Sequence, residues 1–427
     1  MRPLKVPSHL VGLGFLIFVT LSGVGADSPN DPPALTNWQL ALTSFQKVGI
    51  LIGQSKYAQA QSQLESCATT LPIPYAALAR QYATQLQSAV NLNLSAKKAD
   101  RAQLAALIEL CSDLCAYDAS LQLVSRLRKA SSGEDEAPGP SLAWLLLESG
   151  KIKAALKEYQ RKLAEEQVEV WKDYYKKQIE LLQKRPANLT NVEFALEFVR
   201  EHYLKGYDAN ADWFSALKEL KRALAFASNG KEIVRVRQNI IKGLAALEDQ
   251  AGVEAWEHKI LAEFKSDREA CAGVYVDRGV RAFKRKDFNE ALSLFRKVAE
   301  DYPDTTLYGD AQYDVGLVLH EQQNYDHAIS EYAKIFSSPV DDYAIDPDSS
   351  QDLKNYRYKA ALRISECYEA QKDYTRALEY AEIARDRYRY LSWCKSCVQN
   401  VHSIMDERIK MLHRLVASNV PKGQKAQ

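Results

Sequence analysis

From about residue 36 onward, apolar residues recur with the period of an α-helix, and strand-like alternation is nearly absent. Val276, Gly279, Val280 and Phe283 fall at i, i+3, i+4 and i+7. After a polar break, Lys284-Arg285-Lys286-Asp287, the stripe resumes with Phe288, Ala291, Leu292, Phe295 and Ala299. Each stripe is one apolar helix face. Two such helices joined by a short turn make an αα-hairpin. A hairpin of this size buries both faces only by stacking on a neighbour, so the pattern predicts an all-α protein built from repeated hairpins.

The repeats are visible. Residues 272–305 contain Gly279, Phe288, Ala291, Phe295 and Pro303, and residues 309–342 contain Gly316, Tyr325, Ala328 and Tyr332. In both, Gly precedes the first aromatic by nine residues, Ala by twelve and the second aromatic by sixteen. Residues 358–391 keep Tyr368, Tyr374 and Ala377, with Ser365 in place of Gly and Ala381 in place of the second aromatic. Residues 41–74 keep Tyr57, Ala60, Leu64 and Pro72. Small residues belong where two helices cross closely, aromatics fill the gaps beside them, and Pro closes the second helix.

This pattern resembles the tetratricopeptide repeat (TPR), a helix-turn-helix unit of about 34 residues. The resemblance implies a TPR-like α-solenoid. Tyr302-Pro303-Asp304-Thr305 followed by Tyr308 to Tyr313 is similar to exported bacterial TPR proteins of the Bam-complex assembly lipoprotein and Tol–Pal cell-division coordinator type. The lipobox of the former and the amino-terminal coiled coil of the latter are missing. By the family's habit, the groove-facing positions are Lys284 in the first good repeat; Asp310, Tyr313, His320 and Glu321 in the second; and Lys359, Glu366 and Glu369 in the third. The resemblance implies that these hold a protein or peptide partner.

Outside the repeats, residues 1–26 read as a secretory signal. Arg2 and Lys5 precede an uncharged apolar run, Leu10 to Val24, and Val24-Gly25-Ala26 is a small-residue cleavage site. The run is short of the roughly 20 residues that a span needs, and no later segment approaches 18 apolar residues. The expected location is therefore periplasmic or secreted, with no transmembrane segment in the mature chain. The expected blocks are 27–130, a linker at 131–140 rich in Ser, Gly, Glu and Pro, a middle helical block 141–265, a carboxyl TPR block 266–417 and a disordered tail 418–427. Ser337 to Asn355, rich in Asp, Ser and Pro, reads as a loop. Two sequons, Asn93-Leu94-Ser95 and Asn188-Leu189-Thr190, bear on the chain only where exported proteins are glycosylated.

Charge and composition narrow the function. The chain has 56 Lys+Arg against 55 Asp+Glu, a net charge of +1 that becomes −1 once Arg2 and Lys5 are removed with the signal. That balance argues against a nucleic-acid surface, and the stretch Arg385 to Tyr390 reads better as a partly packed helix face. Gly 18 and Pro 14 in 427 residues disfavour turn-rich β architectures. No P-loop, G-x-S-x-G or G-x-G-x-x-G occurs, and adjacent acids such as Glu165-Glu166 and Asp341-Asp342 diverge on a helix. The histidines are scattered, and the Asn324-Tyr325 break separates His320 from His327. No lysozyme-like module follows residue 391.

Trp393-Cys394-Lys395-Ser396-Cys397 is the one motif with redox character. A thioredoxin-like site needs a preceding strand, haem attachment needs His where Val398 stands, and zinc needs a second pair. Cys111 and Cys115, taken as a helical i, i+4 pair, would supply it only if distant segments met. Structural thiols or a local disulfide between Cys394 and Cys397, a functional disulfide, and a metal site remain as readings. The expectation is a non-catalytic exported TPR scaffold with no cofactor and no metal. Its alternatives are a thiol-disulfide or chaperone accessory using Cys394 and Cys397, and an accessory subunit of a cell-wall enzyme.

Overall fold

The computed structural model describes residues 36–91, 96–130, 141–204, 212–342, 353–392 and 395–419. These form nineteen α-helices and no strand. The chain divides into two compact units, residues 1–256 and 257–427.

The first unit holds α1 (Asn37–Gly53), α2 (Tyr57–Thr70), α3 (Tyr75–Val90), α4 (Ala96–Asp113), α5 (Tyr117–Ala130), α6 (Leu142–Glu148), α7 (Ile152–Glu165), α8 (Glu169–Lys184), α9 (Val192–Phe198), α10 (Trp213–Leu224) and α11 (Gly230–Ala246). The boundary between units falls within α12 (Gln250–Glu263). The second unit holds α13 (Arg268–Lys284), α14 (Phe288–Asp301), α15 (Tyr308–Glu321), α16 (Tyr325–Lys334), α17 (Tyr356–Ala370), α18 (Tyr374–Glu382) and α19 (Lys395–Asn419).

One turn recurs through the chain. Seven hairpins, α1/α2, α4/α5, α6/α7, α11/α12, α13/α14, α15/α16 and α17/α18, are joined by three residues whose middle one is left-handed: Ser55, Cys115, Gly150, Glu248, Lys286, Gln323 and Lys372, with φ between 50° and 80°. Each turn makes the same two bonds. Lys286 N–H donates to the Phe283 carbonyl at 2.8 Å and Asp287 N–H to the Ala282 carbonyl at 2.9 Å. Gln323 and Asn324, and Lys372 and Asp373, repeat this on their own helices. Such a pair satisfies carbonyls that the helix end leaves open. Where the third turn residue is Asp it also caps the next helix: Asp249 accepts from Gly252 N–H, Asp287 from Glu290 N–H and Asp373 from Arg376 N–H.

Counting from these turns aligns the hairpins. The fourth residue of each second helix, Ala60, Ser120, Ala155, Val253, Ala291, Ala328 or Ala377, has no exposed area in any of the seven hairpins. Four residues later stand Leu64, Val124, Tyr159, Phe295, Tyr332 and Ala381, all buried. Burying a side chain the size of Phe295 contributes about 2–3 kcal/mol.

In the second unit the helices pack in chain order from α13 to α19, each on the next, and α15 also touches α17 directly. A Cβ on Gly279 would lie 2.6 Å from Phe295 Cε1, and one on Gly316 2.5 Å from Tyr332 Cε1. Ser365 takes the place of these glycines because its partner is small, Ala381, and because its hydroxyl donates to the Ala377 carbonyl at 2.7 Å. In the first unit α1 packs on α4 and α5 as well as α2, so its first five helices close on themselves.

Four expectations meet the structure differently. Cys111 and Cys115 are not a helical pair: α4 ends at Asp113 and Cys115 is the left-handed turn residue. The Ser337–Asn355 segment opens on a 3-10 turn, Ile335–Ser337, and closes on buried Asn355, whose amide bonds the backbone of Leu391 in both directions. The helix at Arg385 gives way to a π-helical turn, Ile383–Arg387, and does not reach Tyr390. The last helix extends to Asn419, so Ser418 and Asn419 belong to it. The signal at 1–26, the linker at 131–140, the sequon at Asn93 and residues 420–427 lie outside the described residues.

Candidate functional site

The residues assigned to a partner-binding groove lie on first helices of the second unit, and the structure joins four of the eight, Asp310, Tyr313, Glu366 and Glu369, into a paired row on α15 and α17. Asp310, in the first turn of α15, accepts from Lys354 Nζ at 2.8 Å. One turn on, the Tyr313 hydroxyl accepts from Arg363 Nε at 3.1 Å, and Arg363 Nη1 donates to Glu366 Oε2 at 2.8 Å. Another turn on, Glu369 accepts from Arg408 of α19 at 2.5 Å, and Arg408 also reaches the Ser365 hydroxyl at 3.4 Å. Ser365 is fully buried and the other side chains of the row are half-buried.

The other four predicted positions behave otherwise. His320 turns its Nδ1 toward Cys367 Sγ at 3.6 Å and its ring edge-on to Tyr325. Burial lowers the His320 imidazole, helped by the nearby Arg363 charge, while burial pushes the Cys367 thiol up to about 12. An activated thiolate needs shifts of the opposite sign, so this pair is a packing contact. Lys284 and Glu321, at the ends of α13 and α15, are exposed, and among the described residues their side chains make no hydrogen bond or ion pair. Lys359 is half-buried on α17.

Four members of the row were missed in the sequence: Lys354, Arg363, Arg408 and Asp314. Asp314 directly follows the groove position Tyr313, and Arg363 takes the equivalent place in the next repeat. Their signal was the cation three residues before Glu366 on one helix, and the acid four residues after Asp310 on another. Asp314 is half-buried, and its carboxyl is pushed up to about 7 by burial first and then by the charge of Asp310, against the pull of Lys354 and Lys359.

The repeat residues occupy the interfaces expected of them. Ala291, Ala328, Ala377, Phe295 and Tyr332 are buried, Gly279 and Gly316 face the aromatics, and Phe288, Tyr325 and Tyr374 open the second helices half-buried. Pro303 follows α14 and is exposed. Cys394 lies outside the described residues; Cys397 falls within α19, but its side chain is not described. The other five cysteines, Cys67, Cys111, Cys115, Cys271 and Cys367, are buried free thiols. Among the described residues no group of His, Cys, Asp and Glu is placed to hold a metal, and no helix is long and apolar enough to cross a membrane.

The sequence matches the family described as Tetratricopeptide repeat at residues 279–305 and 359–389. The two matches fall on α13/α14 and α17/α18, which share the left-handed turn and the buried alanine. No curated protein matches the chain. Among solved structures, the apo form of RapI is 11% identical, covering 89% of this chain and 99% of its own, with a TM-score of 0.26. The TPR domain of P58(IPK) is 14% identical, covering 90% and 99%, with a TM-score of 0.24. Likenesses of that size carry no weight, and the repeat assignment rests on the family match and the hairpin geometry.

Proposed function

We propose that the chain is a non-catalytic scaffold that holds a protein or peptide partner along the first helices α15 and α17, and that it works outside the cytoplasm. The observation that carries this reading is the row Asp310–Lys354, Tyr313–Arg363–Glu366 and Glu369–Arg408. Side chains already tied to one another lose little freedom when a partner arrives, so they offer polar recognition at low entropic cost. The direct contact of α15 with α17 supports the side chosen: in stacked hairpins, the helices that approach each other most closely line the inner face. Export rests on the 1–26 segment, and an envelope role on the similarity of the 302–313 stretch to exported bacterial TPR proteins.

The experiment is a tagged pull-down of residues 27–427 from native envelope extract, read by mass spectrometry. The test bait carries Tyr313→Ala, which removes the acceptor of Arg363, and Glu321→Lys, an exposed side chain on the same helix. The control bait carries Arg296→Glu on α14, also exposed. A partner lost with the first bait and kept with the second is the expected result. A partner that ignores the first bait and needs Arg296 would move the binding surface to α14. A partner held only through a disulfide, and released by reductant, would favour the Cys394/Cys397 reading.

A further inference from the structure

The last described helix, α19, carries two apolar stripes, and only one of them is covered. The helix packs on α18 and on the π-helical turn Ile383–Arg387, with Met405, Ile409 and Leu412 buried. Arg408 ties it to α17 through Glu369. A second stripe runs along its flank. Val401, Ile404, Arg408, Met411 and Leu415 follow one another at intervals of three and four residues, the spacing of a helix-pairing seam. Val401 and Leu415 lean partly on the core, whereas Ile404 is 62% exposed and Met411 38%. A helix that closes a stack of hairpins ordinarily presents a polar outer face, so an apolar stripe here asks for a cover.

The charges beside the stripe select that cover. Glu407 and Arg414 border it on the same side, one heptad apart. Laid antiparallel on a second copy of itself, with the two-fold axis near residues 409 and 410, the helix sets Ile404 against Leu415 of the copy. Met411 then meets the aliphatic stem of Arg408, whose charge stays with Glu369. Glu407 of each copy meets Arg414 of the other, and every contact occurs twice, as an isologous interface requires. Arg414 is exposed, and Glu407 reaches Lys410 of its own helix at 2.8 Å on an equally exposed surface, so both charges stand at the rim. In-register parallel pairing would instead bring Arg408 beside Arg408 on the axis, and like charges oppose it. The seam from 404 to 415 is only about 17 Å long, which suits a reversible dimer and not an obligate one.

We propose that α19 is a self-association helix: two copies of this chain pair antiparallel along Ile404, Arg408, Met411 and Leu415, with Glu407 of each facing Arg414 of the other. The pairing uses neither Tyr313 nor Arg363 and stands independently of the partner reading.

The test is sedimentation equilibrium of the full chain from about 1 to 100 µM, the range in which a small reversible interface dissociates. Reductant is present, so that Cys394 and Cys397 form no link between copies. The expected result is a monomer–dimer equilibrium. Ile404→Ser with Met411→Ser should raise the dissociation constant by about tenfold or more, with the circular dichroism of the parent, since both side chains are exposed. Glu407→Arg and Arg414→Glu should each weaken the dimer by about threefold or more, and the two together should restore it. If the serine variant loses its helix, the charge exchange decides alone. A chain that stays monomeric throughout overturns the proposal and leaves the stripe to a different protein. A dimer indifferent to the serine changes in a folded chain overturns it too, as do single charge changes that the double exchange does not rescue.

Discussion

Gly316→Ala decides whether the aromatic-on-glycine crossing is what sets the spacing of α15 and α16. In an open helix the change should stabilise, because Ala is favoured over Gly by about 1 kcal/mol. Here the new Cβ would stand 2.5 Å from Tyr332 Cε1, 2.6 Å from Cδ1 and 2.9 Å from Cζ. Ordinary contact would push the ring back by about 1 Å, yet Tyr332 has no exposed area and leans on Tyr313 with ring centroids 5.5 Å apart. Overpacking of this kind costs about 1–3 kcal/mol, so after the propensity gain the expected net loss is about 0–2 kcal/mol, against a gain of about 1 kcal/mol in an open helix. The third repeat supplies the rescue: there the same two positions hold Ser365 and Ala381. Gly316→Ser combined with Tyr332→Ala should therefore cost less than the sum of the two single changes, by about 1 kcal/mol or more. The assay is urea denaturation with hydrogen exchange on peptides of α13–α18, which isolates the second unit. A more stable Gly316→Ala chain, or strict additivity in the pair, would refute the crossing argument.

Other perturbations read other parts of the chain. Lys286→Gly, Gln323→Gly and Lys372→Gly each relieve a left-handed residue and should raise the melting point of the second unit, gaining about 0.5–1 kcal/mol apiece; a lower melting point in all three would contradict the turn assignment. Asp314 is raised to about 7 from an ordinary 3.8, so the folded state holds its proton longer and stability falls as pH rises from about 4 to 7. Asp314→Asn should flatten that slope, by about 1–3 kcal/mol over the interval after allowance for its partial exposure, and melting curves between pH 4 and 8 will show it. Arg408→Ala removes the bonds to Glu369 and Ser365 and should cost about 1–3 kcal/mol, seen as earlier proteolytic release of α19. The five buried cysteines should resist a thiol reagent until the chain unfolds, and fast labelling of the native chain at any of them would contradict their packing.

The sequence made the second unit legible because each determinant there is a residue with few substitutes. Only Gly leaves room for a ring at the α13/α14 and α15/α16 crossings, and Ala at 291, 328 and 377 has no larger equivalent without a shift in the helices. The departure at Ser365 looked like decay of the pattern. It is an exchange of size between two positions sixteen residues apart, which only the folded pair reveals. The groove residues were legible as positions, and their pairing was not: Lys354 and Arg408 come from outside the helices that the repeat rule describes. Nothing in a repeat pattern marks a cation delivered to Glu369 from a helix 39 residues further on.

The first unit hid its hairpins for a different reason. Its turns are the same, with Ser55, Cys115, Gly150 and Glu248 left-handed, but only Gly150 carries the residue that advertises such a turn. A Schellman turn is enforced by its backbone bonds, and any side chain can occupy it at a cost of about 1–2 kcal/mol. The packing positions drift in the same way: Ser120 replaces Ala at the crossing and remains fully buried because its hydroxyl bonds Ser112 at 3.1 Å and the Ile108 carbonyl at 3.3 Å. A polar residue there reads as surface in the sequence and is core in the fold. The hairpin thus persists in the backbone after its side-chain signature has been replaced by locally satisfied alternatives.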